Sequence, residues 1–440
     1  MVLASLPYSL VIPSSGVIAS SQITAASGSA ADIQAAVNGV IAAGGGTVYI
    51  PAGDWSCDQA SGGAVKINLQ SLPAGAWLNI LGSNNIVTTT QQNGVPITCP
   101  ATILRSTSDS ATDIIGTISV VGSPLAGNNF NNYKSENRHI RIAYLTILGK
   151  VTNDLHSNYG ISMGFADGFL IDHCFIDSNS QTDIGTSYSK GVISNCSLTQ
   201  YYHQVIGGVW GYGVMVTGNS GYWNNNLGTP TWITNVDDIV GKYDWDGIPI
   251  NYSNPQVYSY TETYGGNHPD TQGTTSHISY TAGPIYIESN FFNFTRHPVA
   301  SSQYGYYVAR YNTVPYNVPN LQAFDIHGRG FPAGRYGEFY GNAITGTAYA
   351  VDFRGAGGIV FNNTFINNVH DVALGNEAWN ATGVYDPQYI SNTYIWGNTH
   401  IGSGDQIYAF ANQNITLGVN YFTTAKPNYT PYVYPHPYTP

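Results

Sequence analysis

Charged residues are scarce in this 440-residue chain. Only 9% of its residues are Asp, Glu, Lys or Arg, and 14 Lys plus Arg stand against 25 Asp plus Glu, which gives a formal net charge of -11. The first basic residue is Lys66. Because neutralising phosphates requires a basic face, this composition excludes a role in binding nucleic acid.

Long apolar runs are absent as well. No stretch of 18 apolar residues occurs, so we expect no membrane span. The opening MVLASLPYSLVIPSS lacks the basic start of a secretory signal. We nevertheless expect an extracellular or cell-surface protein, because Asn-x-Ser/Thr acceptor sites for glycosylation recur. These are Asn195, Asn251, Asn293, Asn362, Asn380, Asn414 and Asn428.

Cysteine is rare, with only Cys57, Cys99, Cys174 and Cys196. None of the spacings is the C-x-x-C of a metal site, and an even count permits two disulfides without requiring them. The sequence alone leaves open whether these thiols pair.

Glycine and tyrosine are abundant, with 50 Gly and 34 Tyr, which favours an all-β protein. One exception opens the segment SAADIQAAVNGVIAAGGGTVYIPAGDW, residues 29–55. Ile33, Ala36, Val37, Val40 and Ile41 recur at helical spacing, and the Gly triplet at 44–46 ends the helix. TVYIP then reads as a strand that stops at Pro51.

Short phrases repeat at intervals of about 20 to 30 residues, as expected of a solenoid whose coils bury their apolar faces against one another. IDHCFID (171–177) and ISNCSLT (193–199) align so that Cys174 stacks on Cys196. Phrases such as IESNFF and FYGNAI place asparagine in a similar turn position. The asparagines of this set are Asn219, Asn290, Asn312, Asn342 and Asn363. A propeller or jelly roll would give longer repeats or none.

The helix, the GGG triplet and TVYIPAG closely resemble the N-terminal cap and first coil of pectin-lyase-like right-handed parallel β-helices. That superfamily includes polysaccharide lyases, glycosidases and viral tailspikes. The resemblance implies a single β-helix domain over 1–440, with the cap and first coil at 29–55. Its polygalacturonase-like members carry a catalytic series of which this chain has only Asp237-Asp238 and His327-Gly328, in different surroundings, so no catalytic role transfers from that group.

Two segments interrupt the period. Residues of about 219–284 are rich in aromatic, Gly, Asn and Pro residues, and we interpret them as an insertion that shapes a binding side, with Trp245 stacking on sugar. A loop packed on its own aromatics is the alternative. Residues 425–440, which include PNYTPYVYPHPYTP, read as an extended tail along the solenoid or a disordered one.

The clearest functional signal is a charged phrase written twice. AFDIHGRG (323–330) and AVDFRGAG (350–357) share an Ala-x-Asp-x-basic-Gly frame at a distance of 27 residues. Side chains alternate along a strand, so we expect Asp325 over Asp352 and His327 over Arg354, on the outer face of adjacent coils. Two carboxyls this close would raise one pKa and leave a proton donor beside an ionised partner.

Three readings of this cluster remain open. Paired carboxylates suit glycoside hydrolysis, which we favour, while cations beside a base suit β-elimination from a uronic acid polymer. Salt bridges that only close a ladder would suit a glycan-binding surface or spike protein. The catalytic candidates are Asp325, His327, Glu338 and Asp352, and the substrate-binding candidates are Arg296, His297, Arg310, Arg329, Arg335, Arg354 and Trp245.

We expect no cofactor. Pectate lyases would suggest calcium, and Asp237, Asp238, Asp244 and Asp246 are the acids that could bind it, but DWDG lacks a full oxygen-ligand loop. The expected partner is a polysaccharide. The sugar, its linkage, endo or exo action and the oligomeric state do not follow from the sequence.

Overall fold

A computed structural model gives the fold. It describes residues 21–57, 64–90, 96–106, 118–121, 138–149, 159–164, 166–177, 182–187, 190–200, 204–210, 214–217, 220–223, 234–240, 285–293, 297–302, 306–316, 322–328, 336–377, 389–411 and 413–436. Contacts divide the chain into an N-terminal unit, 10–207 with 217–233 and 438–440, and a C-terminal unit, 208–216 and 234–437 with 1–9. A single domain over 1–440 stays a prediction.

The predicted N-terminal helix is present as Ala30–Ala42. Ser29 caps it, since its hydroxyl accepts a hydrogen bond from the Asp32 N–H, and it buries Ile33, Ala36, Val37 and Val40. The chain then turns through glycines with positive φ and enters strand Gly46–Tyr49. The helix therefore covers the start of the β body with its apolar face.

The N-terminal unit contains three parallel sheets that successive coils visit in turn, and one antiparallel hairpin. The first sheet contains Gln22–Thr24, Gly46–Tyr49, Trp77–Leu81, His139–Ala143, Asp167–Asp172 and Lys190–Ser194. The second contains Gly53–Ser56, Thr102–Arg105, Leu145–Leu148, Phe175–Asp177, Ser197–Gln200 and Ser220–Trp223. The third contains Val65–Asn68, Ile118–Val121, Tyr159–Gly164 and Thr182–Ser187. The hairpin pairs Ile86–Thr90 with Pro96–Pro100, and a 3-10 turn spans Leu69–Ser71.

The C-terminal unit repeats the same arrangement. Its first sheet contains Ile285–Glu288, Tyr306–Arg310, Tyr336–Tyr340, Gly357–Phe361, Thr393–Trp396 and Tyr421–Phe422. Its second contains Phe291–Asn293, Thr313–Tyr316, Ala343–Thr345, Thr364–Ile366 and Thr399–Ile401. Its third contains Thr234–Val240, His297–Ser302, Gln322–Ile326, Tyr349–Phe353, His370–Leu374 and Asp405–Ala409. The strands Gln204–Trp210 and Val214–Thr217 fall where the division between the units is drawn.

This is the right-handed parallel β-helix that the sequence predicts. Alternation along each strand sends one set of side chains to the interior, so that Phe324 pairs with Val351 and Ile326 with Phe353, all fully buried. Because every strand has the same neighbours one coil away, rows of like residues form the core.

The predicted asparagine ladder lies at the turn between the first and second sheets of the C-terminal unit. The Asn312 side-chain oxygen accepts from the Asn290 N–H at 3.0 Å, and Asn342 and Asn363 continue the pattern. Each rung follows a residue in the left-handed region or a glycine, such as Ser289 with φ 57°. The ladder satisfies buried backbone donors at the turn where the strands end. Asn219 lies outside the described residues.

Cysteines occupy the same turn position in the N-terminal unit. Ile171 pairs with Ile193 and Phe175 with Ser197, so Cys174 and Cys196 stack as the spacing of 22 predicts. Both are free thiols, as are Cys57 and Cys99. The Cys174 thiol lies 3.4 Å from the Asp172 carbonyl, and Cys196 lies 3.3 Å from that of Ser194. They act as small buried groups that contact the local backbone.

The predicted insertion is only partly within the described residues. Strands Ser220–Trp223 and Thr234–Val240 fall in the range 219–284, and Thr234–Val240 pairs in parallel with His297–Ser302. Residues 241–284, which include Trp245, lie outside the described part of the chain. Among the helices that the structure describes, none has the length and apolar character needed to cross a bilayer.

Candidate functional site

The two charged phrases lie on adjacent strands of the third sheet in the C-terminal unit. Asp325 pairs with Asp352 in parallel register, as their spacing predicts. Ala300 and Ala373 occupy the same row on the flanking strands. Two small side chains thus border two carboxyls, which leaves the acids room to accept partners from outside the row.

Arg354 is the partner of Asp325. Its Nε donates to Asp325 Oδ1 at 2.9 Å and its Nη2 to Oδ2 at 2.5 Å, a bidentate pair. Asp325 is fully buried, whereas the Arg354 side chain is 21% exposed. The guanidinium therefore pairs with a buried carboxyl group on one side and reaches the surface on the other.

His327 lies between these two charges. Its Nε2 is 3.0 Å from Asp325 Oδ2 and 3.0 Å from Arg354 Nη2, which also contacts Nδ1. A guanidinium can only donate, so a ring nitrogen that faces it must accept. The side chain of His327 is 29% exposed. The ring is thus partly open to solvent, while its two nitrogens face Arg354 and Asp325.

Asp352, the second acid of the row, has different surroundings from Asp325. It is 3% exposed, and its Oδ1 has no hydrogen-bond partner in the described part of the chain. Burial first, and then the charge of Asp325, raises the pKa of Asp352 to about 8. Asp352 is therefore mostly protonated at neutral pH, and the sequence predicts such a raised pKa for one of two stacked carboxyls.

Replacing Asp352 with asparagine is expected to remove a pH dependence of stability. The pKa of Asp352 is about 8 in the folded chain and about 4 in the unfolded chain, so the folded state holds the extra proton between these values. Stability contributed by that proton falls as pH rises through this window. The difference in unfolding midpoint between Asp352→Asn and the parent should therefore shift in favour of the variant as the pH rises. The expected shift is about 2 °C or more between about pH 5 and about pH 9. Parallel midpoint profiles would contradict this.

Glu377 completes the cluster, and sequence analysis missed it. Its Oε1 accepts from Arg354 Nη1 at 3.0 Å, and its Oε2 accepts from the Gly328 N–H at 3.2 Å. It follows strand His370–Leu374, which stacks on Tyr349–Phe353 one coil later. Aligning HDVALGNE as a third copy of the charged phrase would have brought Glu377 near Arg354.

The cluster differs from the predicted patch in its exposure. We expected four outward charges, but Asp325 and Asp352 are buried, and the surface is formed by His327, Arg354 and Glu377. The physical reason is that Arg354 folds back over Asp325 to satisfy it, since a buried carboxylate requires a cation.

Arg310, a predicted sugar ligand, lies elsewhere. It belongs to the first sheet and is fully buried, and its Nε donates to Glu288 Oε2 at 2.8 Å. Its other nitrogens donate to the Tyr340 hydroxyl and to the carbonyls of Tyr432 and Val433. We call residues 426–436 the C-terminal strap. Because the strap covers Arg310, the guanidinium is enclosed by protein and does not face a substrate.

Glu338, a predicted catalytic acid, lies under the same strap. It is fully buried on the first sheet and accepts from the Tyr429 hydroxyl at 2.6 Å. Nearby, Lys426 donates to the Tyr336 hydroxyl at 3.1 Å, and burial lowers the pKa of Lys426 to about 8. Glu338 therefore shares no site with Asp325, because its strand Tyr336–Tyr340 belongs to the first sheet and the strand of Asp325 to the third.

The other residues predicted to bind substrate or calcium lie outside the described residues or have side chains that the structure does not describe. Arg296, Arg329, Arg335 and Trp245 lie outside the described residues, and His297 is described only as the first residue of strand His297–Ser302. Of the calcium candidates, Asp237 and Asp238 lie in strand Thr234–Val240, whose side chains are not described, and Asp244 and Asp246 lie outside. Within the described ranges, no group of three or more His, Cys, Asp or Glu could hold a metal ion.

No protein-family model matches the chain, and no curated protein matches it. Solved structures do. The A-module of a mannuronan C-5 epimerase from Azotobacter vinelandii aligns over 91% of this chain and 94% of its own, with 15% identity and a TM-score of 0.43. An exopolygalacturonase from Thermotoga maritima aligns over 89% and 92%, with 12% identity and a TM-score of 0.38. The Dettilon tailspike protein aligns over 86% and 64%, with 12% identity and a TM-score of 0.42. The strand order of the chain itself is that of a parallel β-helix.

Proposed function

We propose that the protein cleaves a uronic-acid polysaccharide by β-elimination, with His327 as the base. The supporting observation is that the basic side chains of the cluster are partly exposed and its two aspartates are buried. His327 and Arg354 reach solvent, while Asp325 and Asp352 are buried at 0% and 3% exposure. Among the members of the predicted set whose side chains the structure describes, only His327 and Arg354 are open to a sugar.

Elimination needs a base and a nearby cation. The cation draws electrons from a sugar carboxylate, which acidifies the adjacent C–H, and the base removes that proton. The C–H electrons form the C=C bond and the glycosidic oxygen leaves, taking a proton from water or an acid. Here Arg354 would supply the charge, and His327 would take the proton at Nδ1 once Arg354 Nη2 releases that nitrogen, while Asp325 accepts from Nε2–H and orients the ring.

Asp352 supports this assignment through its charge. Because its pKa is about 8, it adds little negative charge at neutral pH, and Arg354 is not neutralised by a second acid of the row. The ring of His327 and the guanidinium then face a carbohydrate with fewer opposing anions beneath them.

Hydrolysis by Asp325 and Asp352 is the second candidate. A protonated acid beside an ionised one is the pairing that glycosidases use, and the pKa of Asp352 favours it. Both carboxyls of a glycosidase must reach the scissile bond, however, and these two are buried. A glycan-binding protein of the cell surface or a viral spike is the third candidate, in which the cluster is a salt-bridge ladder.

A panel of uronic-acid and neutral polysaccharides distinguishes the three. Elimination predicts ultraviolet absorbance from the new C=C bond on uronic-acid polymers alone. Reducing ends without that absorbance would replace it with hydrolysis. Polymer binding with neither product would favour the non-catalytic protein, and an extracellular location would suit each case.

A further inference from the structure

Two donors converge on the carboxylate of Glu377. Arg354 Nη1 lies 3.0 Å from one oxygen, and the backbone N–H of Gly328 lies 3.2 Å from the other. A guanidinium and a backbone N–H aimed at the two oxygens of one carboxylate form a bidentate receptor for that group. We name these two donors the carboxylate cradle. Glu377 is its internal occupant.

The occupant is held less firmly than the other acid on Arg354. Arg354 binds Asp325 through two nitrogens, and Asp325 is fully buried, so that pair is costly to break. Glu377 takes the remaining Nη1, and the two side chains are 21% and 25% exposed. Exposed ion pairs contribute at most about 1 kcal/mol, so a ligand can displace Glu377 while Asp325 keeps the guanidinium in place.

Gly328 is required for the cradle by its close approach to Arg354. A Cβ added at position 328 would lie 1.6 Å from the Arg354 carbonyl oxygen and 3.1 Å from the Cβ of Glu377. Residue 328 must therefore be glycine for its N–H to face the cradle. His327 precedes it directly. A carboxylate in the cradle would thus present its attached carbon beside the exposed imidazole.

We propose that the cradle binds the carboxylate of a uronic acid sugar and that Glu377 is a built-in competitor which the sugar displaces. This inference rests on the proposed function, because it supplies the substrate position that elimination by His327 needs. The cradle would then select uronates over neutral sugars, because a neutral sugar has no carboxylate to replace that of Glu377. Glu377 is thus a specificity-determining residue, and its removal should strengthen uronate binding.

The test is calorimetric titration of the parent protein with D-galacturonate and D-glucuronate, and with D-galactose and D-glucose as neutral counterparts. Glu377→Gln and Glu377→Ala should each bind one or both uronates about 3- to 5-fold more tightly than the parent does, which corresponds to losing an exposed ion pair. Affinity for the neutral sugars should not change. Asp405→Asn is the matched control, because Asp405 is a 62% exposed acid that pairs with His370 and does not contact Arg354.

Several results would overturn the inference. These are unchanged or weaker uronate binding in both folded Glu377 variants, an equal gain in Asp405→Asn, or no uronate binding by any variant. The proposed function fails separately: tighter uronate binding without cleavage of any uronic-acid polymer would keep the cradle and reject elimination. Elimination by the parent with unchanged KM and uronate affinity in both variants would keep elimination and reject the cradle.

Discussion

Replacing His327 with alanine should lower kcat/KM on the cleaved polymer by about 10²- to 10⁴-fold, the usual contribution of a positioned general base. The reason is that His327 is the only group of the described cluster that combines a basic nitrogen with exposure, and Asp325 holds it at 3.0 Å. Overall folding should be retained, since the partly exposed ring is not part of the core. Initial rates of product formation, measured with circular dichroism as a check on folding, test this.

His400 provides the matched control. Its Nδ1 lies 2.6 Å from Asp371 Oδ2, so it is also a partly exposed histidine on a buried acid, but it belongs to the second sheet. His400→Ala should keep the parent rate within a few fold. If His327→Ala lost less than tenfold, or if both variants lost equally, His327 would not be the base.

Replacing Arg310 with alanine should destabilise the C-terminal unit by about 3–5 kcal/mol, the range for breaking a buried ion pair. Arg310 and Glu288 are both fully buried, and Nη2 lies 2.7 Å from the carboxylate. The variant would remove the paired cation from a buried Glu288, which also accepts from the His436 N–H at 3.0 Å. The carbonyls of Tyr432 and Val433 in the C-terminal strap would lose their donor too. Denaturant titration measures the loss.

Two variants show whether the uncompensated charge causes this loss. The double variant Arg310→Met with Glu288→Gln removes both charges, so it should recover much of the stability. Arg105→Ala breaks an exposed pair with Asp54, whose side chains are 21% and 45% exposed, and should cost about 1 kcal/mol or less. A loss for Arg310→Ala as small as that for Arg105→Ala would mean that the strap pairing contributes little to folding.

Features set by period could be predicted from the sequence. The helix at Ala30–Ala42, the stacking of Cys174 on Cys196 and the register of Asp325 with Asp352 all follow from local spacing. The turn asparagines follow in the same way. A solenoid makes this possible, because residues one repeat apart become spatial neighbours.

Features that depend on burial of a side chain by a distant segment could not be predicted from the sequence. Glu338 and Arg310 lie close in sequence to Asp325 but belong to another sheet. Their partners in the C-terminal strap lie about 90 residues after Glu338 and about 120 residues after Arg310. The prediction from charge enrichment in the sequence therefore combined residues of two separate clusters into one site.

The sequence by itself determined the β-helix, its coil period and the pairing of the two acidic phrases, because repetition encodes neighbours along the solenoid axis. Only the tertiary structure decided that Asp325 is buried under Arg354, that Glu377 occupies the cradle and that the C-terminal strap encloses Arg310. Burial and charge pairing depend on groups brought together from distant turns and strands, and no local pattern in the sequence records those meetings.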